Sequence, residues 1–204
     1  MEKHNIIEHV WEFKYGGMEK NELDFMYDLS KDKVILELGT EVGQNAYVMA
    51  SVANKVVCVD AWDDAYEHLN NDPIQKSLYL SNQILYQNEE INKYDIFGQF
   101  KRNCKKFIDS GKLKYIKGKT LDVVDQFEDE SFDIILIDAD HSYEGVLNDI
   151  YHYLPKVKKD GLLVFHDYGC GMWTGVTQAA EQAENKGLIE FDSQFERIAI
   201  FKIK

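Results

Sequence analysis

Short apolar runs that each end in an acidic residue are the feature that most constrains this chain. The first is Val34-Ile-Leu-Glu-Leu-Gly-Thr-Glu-Val-Gly43, and the second is Val56-Val-Cys-Val-Asp60. Strands that deliver acids and glycine turns at their carboxyl ends are how an open α/β sheet builds a ligand crevice. The strand-like runs are Lys33–Leu38, Val56–Asp60, Leu113–Lys117, Phe132–Asp138 and Leu162–His166. Helical patterns lie between and after them, over Gln44–Ala53, Gly98–Asp109, Tyr143–Leu154 and Thr174–Lys186. This alternation predicts parallel βαβ units, and the nearly continuous apolar runs predict strands covered on both faces. Ile189–Phe191 and Arg197–Ile203 read as a closing antiparallel hairpin at the sheet edge. The expected fold class is α/β: a doubly wound, mostly parallel seven-stranded sheet with an antiparallel C-terminal hairpin.

Residues 1–30 carry Trp11, Phe13, Tyr15, Phe25, Met26 and Tyr27, enough apolar surface for an N-terminal helical segment before the first strand. That aromatic segment can pack on its own sheet or on a second subunit, so a homo-oligomer stays open. Residues 31–204 then form one domain, interrupted by an insertion at about 63–97 with Asp72-Pro73 as a turn signal. A stretch of that length is either a substrate-covering lid or a structural helical insertion or dimer contact. With 45% hydrophobic residues in 204, the chain can bury one good core, and its two prolines mark no stiff linker.

Thirty-six acids against 23 basic residues give a net charge of −13, which repels polyphosphates and disfavours a nucleic-acid partner. The basic stretch Lys101–Lys119 has few aromatics for stacking bases and reads as a solvated helix face running into a strand. Cys58, Cys104 and Cys170 are odd in number and widely spaced, which suits a reducing compartment. No apolar run approaches a bilayer span and the N-terminus lacks a signal-peptide core, so a cytoplasmic protein with no membrane partner is expected.

The first turn is Glu-x-Gly-x-x-x-Gly, and it lacks the central glycine that brings a pyrophosphate against the backbone. The expected ligand is therefore a nucleoside without a diphosphate, S-adenosylmethionine above all. Gly39 and Gly43 are expected to let backbone and ligand approach closely, and Asp60 to accept hydrogen bonds from a ribose diol. A second constellation, Phe132-Asp-Ile-Ile-Leu-Ile-Asp-Ala-Asp-His-Ser-Tyr-Glu144, brings Asp138, Asp140 and His141 to the same rim. A third, Gly161-Leu-Leu-Val-Phe-His-Asp-Tyr168, adds His166 and Asp167. Such carboxylates suit a hard divalent cation, and a mixed Asp/His set also suits Mn²⁺ or Fe²⁺; helix capping is the alternative use. The glycine-rich Gly169–Gly175 stretch reads either as a mobile loop whose Trp173 shapes an acceptor pocket, or as a helix connection with Trp173 in the core.

These motifs in this order resemble the class I S-adenosylmethionine-dependent methyltransferases. The resemblance is closest to the branch of the macrocin-type O-methyltransferases and cephalosporin hydroxylase-like proteins, with catechol O-methyltransferase more distant. It covers roughly residues 33–180, leaves residues 1–30 and 63–97 without a counterpart, and implies the Rossmann-like methyltransferase fold. It implies that Glu37, Gly39, Thr40 and Gly43 form the methionine-side turn, and that Asp60 binds the ribose hydroxyls. Ala61 and Trp62 would line the adenine side, and the turn carrying Thr120 would meet the adenine ring. Asp138 would adjoin the cofactor and, with Asp167, hold a metal, Mg²⁺ or another divalent cation. His166 stands where some relatives carry another acid, and a histidine can also ligate. Asp138 and His141 would be the catalytic pair that removes the acceptor's proton. The expected activity is metal-assisted O-methylation of a small hydroxylated metabolite. A metal-independent methyltransferase with a histidine base and a non-catalytic binding module of the same fold are the alternatives.

Overall fold

The structure, a computed structural model, describes residues 2–13, 17–62 and 96–204. Its core is a seven-stranded sheet: β1 (Val34–Leu38), β2 (Lys55–Asp60), β3 (Leu113–Lys117), β4 (Phe132–Ile137), β5 (Val157–Phe165), β6 (Ile189–Phe195) and β7 (Ile198–Ile203). The order is β3-β2-β1-β4-β5-β7-β6. The first five strands are parallel, while β7 pairs antiparallel with β5 and with β6. The expected fold class is therefore the observed one.

Alternation along the strands divides the core in two. Ile35, Val56, Cys58, Ile134 and Leu136 face one layer, built with α1 (Lys3–Trp11), α2 (Lys20–Leu29), α3 (Gln44–Val52) and α4 (Ile96–Asn103). Leu36, Val57, Val59, Ile135 and Ile137 face the other, built with α7 (Tyr143–Tyr153) and α8 (Thr174–Asn185). Two shorter helices, α5 (Lys105–Asp109) and α6 (Thr120–Val123), flank β3. The N-terminal helices are not an appendage: Ile6, Ile7, Val10, Leu23 and Met26 are buried in the same cluster as Met49 and Ala50 of α3. No helix among the described residues is long and apolar enough to cross a membrane.

Three elements differ from the sequence reading. The helix expected over Gly98–Asp109 is two helices broken at Cys104, whose thiol points to the Gly43 carbonyl at 3.5 Å. Strand β5 starts at Val157, five residues earlier than its apolar run, because Val157 pairs with Phe132 across a bulge and Lys158 binds Asp133 at 2.9 Å. Strand β6 runs on through polar residues to Phe195, with a bulge after Phe191. An edge strand is held by its backbone ladder and needs no apolar outer face. Of the expected 63–97 insertion, residues 63–95 lie outside the described residues, and residues 96–97 begin α4.

Candidate active site

Register brings the strand ends to one level. Leu38 pairs with Val59 and with Ile137, and Ile137 pairs with Phe165. Gly39, Asp60, Asp138 and His166 therefore emerge side by side at the carboxyl rim, where open α/β sheets take their ligands.

The β1–α3 turn is built around acids. Glu37 is buried and accepts from the Thr40 hydroxyl at 2.8 Å and from Asn45 Nδ2 at 3.0 Å. Burial pushes its carboxyl up to about 7, helped by the nearby Asp138 charge. Asp60 Oδ2 accepts the backbone N–H groups of Thr40 and Glu41, both at 2.8 Å, and Oδ1 accepts that of Trp62 at 2.7 Å. A carboxylate offers about four acceptor positions, so about one remains for a ligand. Half-buried Glu41 is pushed up to about 8 by burial and by the charges of Asp60 and Asp138.

The two glycines of this turn serve the protein's own packing. Gly39, at φ +85°, would place a Cβ 2.0 Å from the Asp138 carbonyl oxygen. Gly43, at φ +81°, would place one 2.7 Å from Cys104 Sγ and 2.8 Å from Phe100. The close approach expected of a ligand is, at Gly43, an approach of α4.

Beyond this turn, Asp138 and Asp167 meet two histidines. His141 Nε2 lies 3.3 Å from Asp138 Oδ1 and 3.2 Å from Asp167 Oδ2. His166 Nδ1 lies 3.2 Å from Asp138 Oδ1, and its Nε2 faces Glu22 at 3.4 Å. On Asp138, Glu22, His141 and His166 burial opposes charge, but the opposite charges prevail. Asp138 and Glu22 are held down to about 2, while His141 rises to about 9 and His166 to about 10. Among the described residues, Asp138, His141 and Asp167 have donor atoms within 4.8 Å of one another, a spacing able to hold a metal ion. His166, the histidine expected as a ligand, sits behind that group with only 3% of its side chain exposed, turned between Asp138 and Glu22.

Other expected site residues have definite neighbours. The Trp62 ring packs among Phe97, Phe100 and Tyr115, and its indole N–H donates to the Glu41 carbonyl at 2.7 Å. Half-buried Ala61 precedes it. The Thr120 hydroxyl donates to Asp149 at 2.6 Å and so faces α7. Trp173 lies against His141, ring centroids 4.6 Å apart, which puts the Gly169–Gly175 loop beside the acid–histidine group. Gly175 lets that loop close up, since a Cβ there would meet Tyr143 N at 2.4 Å and His141 O at 2.5 Å.

Two residues escaped the sequence reading. Arg197, at the β6–β7 turn, donates from NH1 to Asp167 Oδ1 and from NH2 to Glu22 Oε2, each at 2.7 Å. Glu22, 1% exposed, belongs to α2. An acid four residues before Met26 on the apolar stripe of an amphipathic helix was the available signal.

Residues 36–168, more than half of the chain, match the family described as a methyltransferase domain, and the chain belongs to that family. An uncharacterized protein of Acanthamoeba polyphaga mimivirus is 33% identical over an alignment of 107 residues, with 48% of each protein covered. The chain thus spans about half the length of that curated relative. An O-methyltransferase from Bacillus cereus in complex with SAH superposes with a TM-score of 0.66 at 14% identity, covering 98% of this chain and 91% of that one. An SAH-bound methyltransferase of Podospora anserina gives 0.68 at 13% identity, covering 98% and 88%. At such identities the likeness speaks for the fold.

Proposed function

We propose that this protein is an S-adenosylmethionine-dependent O-methyltransferase acting on a small hydroxylated metabolite with the help of a divalent cation. The carrying observation is the position of Asp138: its backbone touches the Gly39 turn and its carboxylate joins the Asp138–His141–Asp167 group. Cofactor turn and metal-ligating chemistry thus meet at one residue. Solved structures similar to this fold include SAH-bound methyltransferases, which supports S-adenosylmethionine as the cofactor.

The residues fit both groups. Glu37 and Glu41 line the turn with carboxyl groups able to accept hydrogen bonds from an ammonium, and Asp60 keeps an acceptor position for a ribose hydroxyl. Two carboxylates and an imidazole suit Mg²⁺, Mn²⁺ or Fe²⁺. A divalent ion so held supplies Lewis acidity that lowers the pKa of an acceptor hydroxyl.

Methyl transfer forms an oxygen–carbon bond as the carbon–sulfur bond breaks, with the electron pair leaving on sulfur. The turn would fix the cofactor, the rim would orient the acceptor oxygen in line, and the Asp138 carboxylate would take the hydroxyl proton. Asp138 and Asp167 favour the protonated form of His141, raised to about 9, which makes it a poor proton acceptor in the metal-free site. This favours the metal-assisted reading over a metal-free histidine base: Asp138, His141 and Asp167 would hold the cation, His141 in its neutral form.

Calorimetric titration of S-adenosylhomocysteine, with and without Mg²⁺, tests the reading. Micromolar binding is expected, and Asp138→Asn should leave it within about threefold while abolishing cation uptake, because that variant removes a charged ligand. Absence of S-adenosylhomocysteine binding in both conditions rejects the methyltransferase reading. Cation uptake unchanged in Asp138→Asn rejects the metal site alone.

A further inference from the structure

The matched family region, residues 36–168, ends short of the charge network that holds the acid–histidine group. Glu22 comes from α2 and Arg197 from the β6–β7 turn, so two distant parts of the chain meet behind the site. Glu22 is saturated: it receives the Glu19 N–H at 2.9 Å, Arg197 Nε at 3.1 Å and Arg197 NH2 at 2.7 Å, and faces His166 Nε2 at 3.4 Å. Arg197 NH1 engages Oδ1 of Asp167, leaving Oδ2 toward His141 and His166. The Asp167 backbone stands at φ +58°, an uncommon conformation for a non-glycine residue, which needs such support. The hairpin turn is itself moored to the N-terminal segment, with Asn21 donating to Glu196 at 3.0 Å and Arg197 NH2 donating to the Gly17 carbonyl at 3.2 Å.

We propose that Glu22 and Arg197 are positioning residues for the reaction: Glu22 orients Arg197 and His166, which in turn aim Asp167 and Asp138 into the site. Arg197 selects which oxygen of Asp167 faces inward, and His166 fixes the rotation of Asp138. The N-terminal helices and the terminal hairpin are therefore parts of the active site. The planar guanidinium fork bridges two carboxylates in a fixed geometry, which the freely rotating ammonium of a lysine holds less rigidly. The inference rests on the reading of Asp138, His141 and Asp167 given above.

The test uses full-length Glu22→Gln, Arg197→Met and Arg197→Lys with three probes. These are Mn²⁺ binding by electron paramagnetic resonance, S-adenosylhomocysteine binding by calorimetry, and the imidazole proton spectrum of His166 by NMR. Glu22→Gln and Arg197→Met should weaken Mn²⁺ binding by about 10–100-fold, the range for partners that orient ligands. They should leave S-adenosylhomocysteine affinity within about twofold, because the β1–α3 turn is untouched. A His166 Nε2 ring proton protected from solvent exchange by its buried contact with Glu22 is expected in the wild type and should be lost in Glu22→Gln. Arg197→Lys should recover part of the Mn²⁺ affinity. Unchanged Mn²⁺ affinity together with an unchanged ring spectrum overturns the proposal, as does absence of that ring proton from the wild type. If the wild type takes up no Mn²⁺, the metal reading of the function falls. Loss of the ring proton in Glu22→Gln then still supports positioning, and its persistence overturns it. Should Glu22→Gln not fold, the ring spectra and Mn²⁺ affinities of the two Arg197 variants decide in the same way.

Discussion

At Asp60 one carboxylate organises a whole turn, taking the N–H groups of Thr40, Glu41 and Trp62. Its place at the end of an apolar strand was readable from the sequence; its service to the turn was not, because that depends on how β1 and β2 are paired. Asp60→Ala should weaken S-adenosylhomocysteine binding by more than about tenfold, since hydrogen bonds to a charged acceptor are each worth about 1.5–3 kcal/mol. Wild-type affinity on calorimetry would remove Asp60 from the site. Asp149 offers a test at the same scale. It is 2% exposed, its Oδ2 has no partner among the described residues, and burial raises it from 3.8 to about 7. Below the lower value both folded and unfolded chains hold the proton. As pH climbs toward 7 only the folded chain keeps it, so stability falls and then levels off. The limit of that loss is on the order of 4 kcal/mol. Asp149→Asn has no such group, so its melting temperature should gain on the wild type between pH 5 and pH 8; parallel melting curves sink the idea.

Elements were legible where a strand or helix is recognisable by its own pattern. All seven strands lie at positions the apolar runs indicate, and α3, α7 and α8 agree with their patterns within a residue or so. The misjudged elements depend on partners. The break at Cys104 exists because Phe100 and Cys104 press on Gly43, and the early start of β5 depends on a bulge opposite β4. Gly39 shows the same contrast: the glycine is visible in the sequence, but its reason is the Asp138 backbone 2.0 Å from the position of a Cβ. Gly39→Ala combines a left-handed backbone with a clash against main chain. It should cost on the order of 3 kcal/mol in denaturant unfolding. A loss under about 0.5 kcal/mol, the scale of ordinary surface substitutions, would mean that the turn has room to move.

For the molecule as a whole, the sheet separates two cores, and the N-terminal helices complete one of them. Ile6, Ile7, Val10, Leu23 and Met26 together contribute on the order of 10 kcal/mol of burial, comparable with the stability of an entire domain. A chain lacking residues 1–30 should therefore lose its cooperative thermal transition, seen by circular dichroism or calorimetry. A sharp unfolding transition near the wild-type temperature would show those helices to be dispensable. The sequence by itself determined the α/β class, the parallel order with its closing hairpin, and the rim acids Glu37, Asp60, Asp138 and Asp167. It could do so because apolar periodicity and turn residues act locally, over a few positions. Only the tertiary structure decided that His141 joins Asp138 and Asp167 while His166 turns to Glu22. It alone joined Glu22 and Arg197, 175 residues apart, behind the same site. Side-chain partnership across such separations is set by register and by how helices pack on the sheet, and no short window of sequence contains either.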